Sequence, residues 1–203
     1  HGRISRLLSS RKIDFLAAPP MYNTSRETGW SGRSQTLYQS SYRLHNVVYF
    51  EESDFRTFLS EPSFSPFPQT RRRPLDESLS IIRRSIGKSL AGGWENWWFL
   101  LGGNDSFSSP EMMESIKIGA EEEFRTLASA KWKPAEVAVF TAADEYATSY
   151  CTHAKEFRLQ CKEYLHRHIL PACGVPFDSY ELSDIGDPRL PDYKIYLFPH
   201  AFT

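Results

Sequence analysis

Two short apolar runs separated by one amphipathic helix constrain this chain more than any other feature. Val47-Val48-Tyr49-Phe50 and Trp97-Trp98-Phe99-Leu100-Leu101 are rich in β-branched and aromatic residues, the composition of strands. Between them Leu75-Asp76-Glu77-Ser78 begins a helix in which Leu79, Ile81, Ile82, Ile86 and Leu90 share one stripe, and Gly92-Gly93 ends it. Strand, helix and strand in that order need a crossover, which makes the strands parallel and the connection right-handed. Ile13 to Ala18, closed by Pro19-Pro20, supplies an earlier strand. Ser109-Pro110-Glu111 opens a second helix carrying Met112, Met113, Ile116, Ile118, Phe124 and Leu127. Val47–Phe50 has the look of a strand buried on both faces.

That strand runs straight into Glu51-Glu52-Ser53-Asp54 and then Arg56. Three carboxylates and a guanidinium therefore gather at the carboxyl end of a buried strand, the edge where α/β proteins bind ligands. A strand end whose charges simply face water has the same sequence, so both readings stand at this point. Alternation along a strand sends Glu51 and Glu52 to opposite sides, and only one of them can face a site. The long polar stretch before this strand carries Tyr22, Arg26, Trp30, Arg33 and Tyr38. Aromatics interleaved with arginines suit the wall of a sugar or other polar ligand, although the same rings could fold back on a core.

A boundary falls at Ala128–Pro134, dividing residues 1–131 from 132–203. Beyond it Glu136–Phe140 is a strand, a long helix runs from about Ala143 to Leu170, and Phe177–Leu182 and Tyr193–Phe198 are two further strands. This is the opening half of a flavodoxin-like, doubly wound sheet. Neither GxGxxG nor GxxxxGK[ST] follows its first strand, so nucleotide binding has no support and no cofactor is expected. A parallel sheet of three strands would leave raw edges.

Charge and cysteine usage narrow the partners. Lys plus Arg against Asp plus Glu is 24 to 25, a formal net charge of −1, so no long-range field draws nucleic acid or an anionic membrane. No apolar run approaches the roughly 20 residues that span a bilayer. The three cysteines, Cys151, Cys161 and Cys173, show no CxxC spacing. The first two would lie about 15 Å apart on one helix, too far to bridge. His166 and His168 sit on different helix faces, and no metal site is expected. Two N-x-S/T sequons, at Asn23 and Asn104, matter only in a secreted protein. The opening HGRISRLLSSRK has no apolar core of a signal peptide and reads as the middle of something longer; compartment stays open.

Taken together, IDFLAAPPMY, SYRLHNVVYFEESDFRTF, LSIIRRSIGKSLAGGWENWWFLLGG and AEVAVFTAADE with PDYKIYLFPHAF resemble the large beta-galactosidase-like glycoside hydrolases, of the family forty-two kind and its relatives. The resemblance covers nearly the whole chain in the right order. It implies an α/β fold: the C-terminal portion of a (β/α)8 TIM barrel, with strands six to eight at Ile13–Ala18, Val47–Glu52 and Trp97–Leu101. The first strands of a flavodoxin-like trimerisation domain would follow. It also implies a carbohydrate substrate, a homo-oligomer of the trimeric kind, and a retaining mechanism with two carboxyl groups about 5–5.5 Å apart. The family's nucleophile falls on Glu52, with Glu51 the fallback. Arg56 or Asp54 would orient it, and Tyr22, Trp30 and Trp98 would wall the sugar subsite. Leu100 stands where relatives commonly carry an aspartate. The family's acid/base glutamate belongs to barrel strand four, so it is expected upstream of His1 and the isolated piece is expected to be inactive. The competing class is a non-catalytic α/β ligand-binding or interaction module, in which Glu52 is only a strand-end charge. A flavodoxin-like redox protein is disfavoured by the missing phosphate loop.

Overall fold

The computed structural model describes residues 4–20, 27–29, 38–61, 72–100, 105–129, 132–142, 165 and 169–200. The chain gathers into two compact units: His1–Leu16, Thr36–Val48 and Lys133–Thr203 form one, Ala17–Gln35 and Tyr49–Trp132 the other. Both rest on parallel strands mixed with helices, an α/β architecture. Tyr22, Trp30, Asn23, Asn104, Cys151, Cys161 and the helix expected from Ala143 lie outside the described residues, apart from Leu165 and its last few positions.

The first sheet has the order β1-β2-β3, with β1 at Phe15–Ala18, β2 at Val48–Ser53 and β3 at Glu95–Trp98. The helix α1 precedes it at Ile4–Ser9 and α2, Gln39–Leu44, lies between β1 and β2. Strands β2 and β3 are parallel, and the crossover between them is α3, Leu75–Gly92. Asp76 and Glu77 in its first turn complement the positive end of the helix dipole. The two glycines at its other end do different work. Gly93 takes the left-handed conformation, φ 69°, and its N–H closes the last turn on the Ser89 carbonyl. A Cβ on Gly92 would stand 1.6 Å from the Trp94 ring, so only glycine fits there.

The helix α4, Pro110–Ser129, follows β3; Ser109 caps it by accepting the Met112 N–H. It crosses α3 closely enough at Gly119 that a Cβ there would meet Ile86 at 2.5 Å. Phe55, Ile81, Ile82, Phe107 and Met112 form the core of this unit, with Trp98 packed against it. The rings of Phe55, Phe107 and Trp98 meet edge to face at 5.5 to 6.2 Å. Burying each such side chain contributes about 1.5–3 kcal/mol.

One expectation is corrected here. Val47–Phe50 is not covered on both faces: Tyr49 is buried and Val48 is exposed, so β2 alternates. Among the apolar residues that α4 carries, Phe124 is 78 % exposed, and Glu123 takes an inward position. Position along the helix decides this: Met112, Ile116, Gly119 and Glu123 recur at the spacing of one face, and Phe124 lies a residue beyond it.

The second sheet has the order β5-β4-β6, all parallel, from β4 (Val137–Thr141), β5 (Phe177–Glu181) and β6 (Ile195–His200). The short helix α5, Leu170–Ala172, precedes β5. Every residue of β4 is buried, as a central strand requires. Phe140 stacks on Tyr180 and on Phe198, 5.4 Å between centroids in each case. The Tyr180 and Tyr193 hydroxyls bond at 2.6 Å, and Tyr193 donates to Asp178 at 3.0 Å. Burial pushes the Tyr180 phenol up to about 12 and raises that of Tyr193 as well.

The β5 edge is not raw. Two serines of α2 reach the outward backbone N–H groups of β5: Ser40 Oγ accepts from Ser179 at 3.0 Å and Ser41 Oγ from Glu181 at 2.7 Å. The same hydroxyls donate to Asp178 and Asp184, and His45 Nε2 meets Asp184 at 2.8 Å. Side-chain hydroxyls thus stand in for a neighbouring strand and close the edge to further pairing.

Candidate active site

Ladder pairing carries β2 through Glu51 and Glu52, so both carboxylates stand on the strand rather than in the loop after it. Their surroundings differ completely. Glu51 is fully buried and turned to the helix side, where it forms an ion pair with Lys88 of α3. Arg84, one turn earlier, lies close enough that Glu51 and Glu27 favour its charge. Burial and the neighbouring Arg73 nonetheless lower its guanidinium pKa. Arg73 has a side chain with no exposure, bonding Glu27 Oε1 at 3.1 Å and the Arg56 carbonyl at 3.1 Å. Glu51 is therefore one member of a buried charge cluster and not free to meet a ligand.

Glu52 is half-buried and, by alternation, lies on the other side of β2. In the parallel register it stands beside Trp97, as Glu51 stands beside Asn96 and Ser53 beside Trp98. Trp97 is 46 % exposed and its ring meets Phe99 edge to face at 5.4 Å. A carboxylate with an adjacent accessible indole can act as nucleophile or base toward a ligand whose apolar face packs on the ring.

The remaining expected residues divide. Asp54 is buried just after the strand, its N–H turned back to the Glu52 carbonyl at 3.0 Å. The Arg56 guanidinium donates to the Glu61 carbonyl at 3.1 Å. Trp98, expected at a subsite wall, packs into the core beside Phe55 and Phe107, on the opposite side of β3 from Trp97. Leu100, just past β3, is exposed.

A second polar group on the helix side went unread in the sequence. The Asn96 side chain accepts from Ser53 Oγ at 3.2 Å and donates to Glu123 Oε1 at 2.8 Å. Glu123 also accepts from Ser89. Glu95 lies near the same carboxylate; burial first and then Glu123 raise its pKa. The signal was present, since Glu123 completes the stripe of Met112, Ile116 and Gly119.

Among the described residues no group of three His, Cys, Asp or Glu side chains could hold a metal ion, and no helix is long and apolar enough to cross a membrane. Compared with family models, curated proteins and solved structures, the chain matches none.

Proposed function

We propose that this chain is part of a retaining glycoside hydrolase of the beta-galactosidase-like kind, with Glu52 as its nucleophile. The observation that carries this is the opposite fate of two adjacent acids: Glu51 is locked to Lys88 beneath the strand, which leaves Glu52 on the side that faces inward when a sheet of this type closes into a barrel. Parallel β2 and β3 joined through α3, with α4 following, is the repeat of a (β/α)8 barrel. The order β5-β4-β6 is second-first-third in chain sequence, as at the start of a flavodoxin-like sheet. It suits a trimerisation domain and hence a homo-oligomer.

In this mechanism a Glu52 oxygen attacks the anomeric carbon while a second carboxyl group, about 5–5.5 Å away on another strand, protonates the leaving oxygen. A glycosyl ester forms on Glu52. The second group then takes a proton from water, the water attacks, and the sugar leaves with its configuration retained. Trp97 offers the ring against which the sugar's apolar face would pack. Substituting Glu52→Gln in the full-length protein tests this on a panel of nitrophenyl glycosides. Turnover should fall at least about a thousandfold with the fold intact; unchanged turnover removes Glu52 from the role.

A further inference from the structure

Asn96 ties its own strand to three other elements. It belongs to β3, accepts from Ser53 of β2 at 3.2 Å, and donates to Glu123 of α4 at 2.8 Å and to the Ser85 carbonyl of α3 at 3.4 Å. Glu123 is held in turn by Ser89 of α3. Beside this polar group the same layer holds the buried Glu51–Lys88 pair, which ties β2 to α3, and the apolar cluster of Phe55, Ile81, Ile82, Phe107 and Met112. A slip of β2 by one residue would exchange the sides of Glu51 and Glu52. The Ser53–Asn96 bond joins the residue after Glu52 to the residue before Trp97, so it fixes the relation of that carboxylate to that ring.

We propose that Asn96, oriented by Glu123, is a positioning residue for the reaction: it locks β3 against β2 so that Glu52 stands beside Trp97 at the angle attack requires. This rests on Glu52 being the nucleophile. The amide has a defined sense. Its oxygen faces the Ser53 hydroxyl and its nitrogen faces the Glu123 carboxylate. An isosteric Asn96→Asp change keeps the acceptor for Ser53 but sets a carboxylate against Glu123. Adding Glu123→Gln restores a donor–acceptor pair with its direction reversed; Ser89, which bonds the same Oε1 position, then accepts from the new amide nitrogen while its hydroxyl donates to the Ile86 carbonyl.

The test is the inactivation of the full-length protein by an activated 2-fluoro glycoside, followed as a rate against inhibitor concentration. Asn96→Asp should lower the maximal rate of labelling about 10- to 100-fold, since a small misplacement of a reacting group costs that much. The half-saturating concentration should change by less, because ring stacking tolerates small displacements. The Asn96→Asp, Glu123→Gln pair should recover to within about threefold of the original rate. A loss that merely reflected weaker folding would follow thermal stability and leave this split absent. If Asn96→Asp does not fold, the paired variant alone decides, and its failure to label normally overturns the proposal. A folded Asn96→Asp that labels at the original rate overturns it too, while label on Glu52 keeps the hydrolase reading. Absence of label on the unaltered protein removes both.

Discussion

Glu51 and Glu52 share a side-chain chemistry and differ in what surrounds them. Glu51 is desolvated and held by Lys88, so removing the cation leaves a buried carboxylate with a weakened set of partners. Lys88→Met should cost about 3 kcal/mol in urea unfolding, and Glu51→Gln on top of it should recover much of that loss. Retention of full stability by the single variant would contradict the account of this pair. Glu95 provides a pH dependence. Its folded-state pKa is raised above the ordinary 4.5, so its contribution to stability is complete below that value and fades as pH rises through the folded pKa. Glu95→Gln should therefore match the unaltered protein near pH 4 and exceed it near pH 7 in denaturant midpoint. A variant that is less stable at neutral pH would show that Glu123 does not repel this group. The sequence alone could say that the two glutamates of β2 diverge, because alternation guarantees it. It could not say which goes where: Lys88 is distant in sequence, and only the packing of α3 on β2 brings it to Glu51. Trp98 turns to the core for the same reason: alternation says that Trp97 and Trp98 diverge, and only the packing of Phe55 and Phe107 decides which ring is covered.

Among the elements, α3 and α4 were legible at their ends. Gly92-Gly93 and Ser109-Pro110 are local signals whose physics acts within a few residues. The buried face of α4 was less legible, because Gly119 and Glu123 hold positions that hydrophobicity does not mark. The helix α2 was not legible at all. QSSYRL has no apolar stripe, and its serines have a purpose only once β5 is alongside. Ser40→Ala and Ser41→Ala each remove the acceptor of a buried backbone N–H, at about 1–3 kcal/mol apiece. Hydrogen exchange should show it locally: the Ser179 amide speeds up in the first variant and the Glu181 amide in the second. Unchanged protection at both would mean that α2 merely lies near the edge without satisfying it.

For the whole molecule, the α/β class followed from apolar runs alternating with amphipathic helices, and parallel pairing in both sheets agrees with it. The composition of the two compact units could not be read the same way, since residues 36–48 cluster with the C-terminal sheet through contacts that no local pattern encodes. On the proposed reading, a catalytic barrel and a doubly wound domain share this polypeptide, and one half-buried acid on β2 carries the chemistry. Mass mapping of the full-length protein after treatment with an activated 2-fluoro glycoside tests this most directly. The account predicts one sugar adduct, on the peptide spanning β2 and carried by Glu52. An adduct on Glu51, on another peptide, or none at all would contradict it.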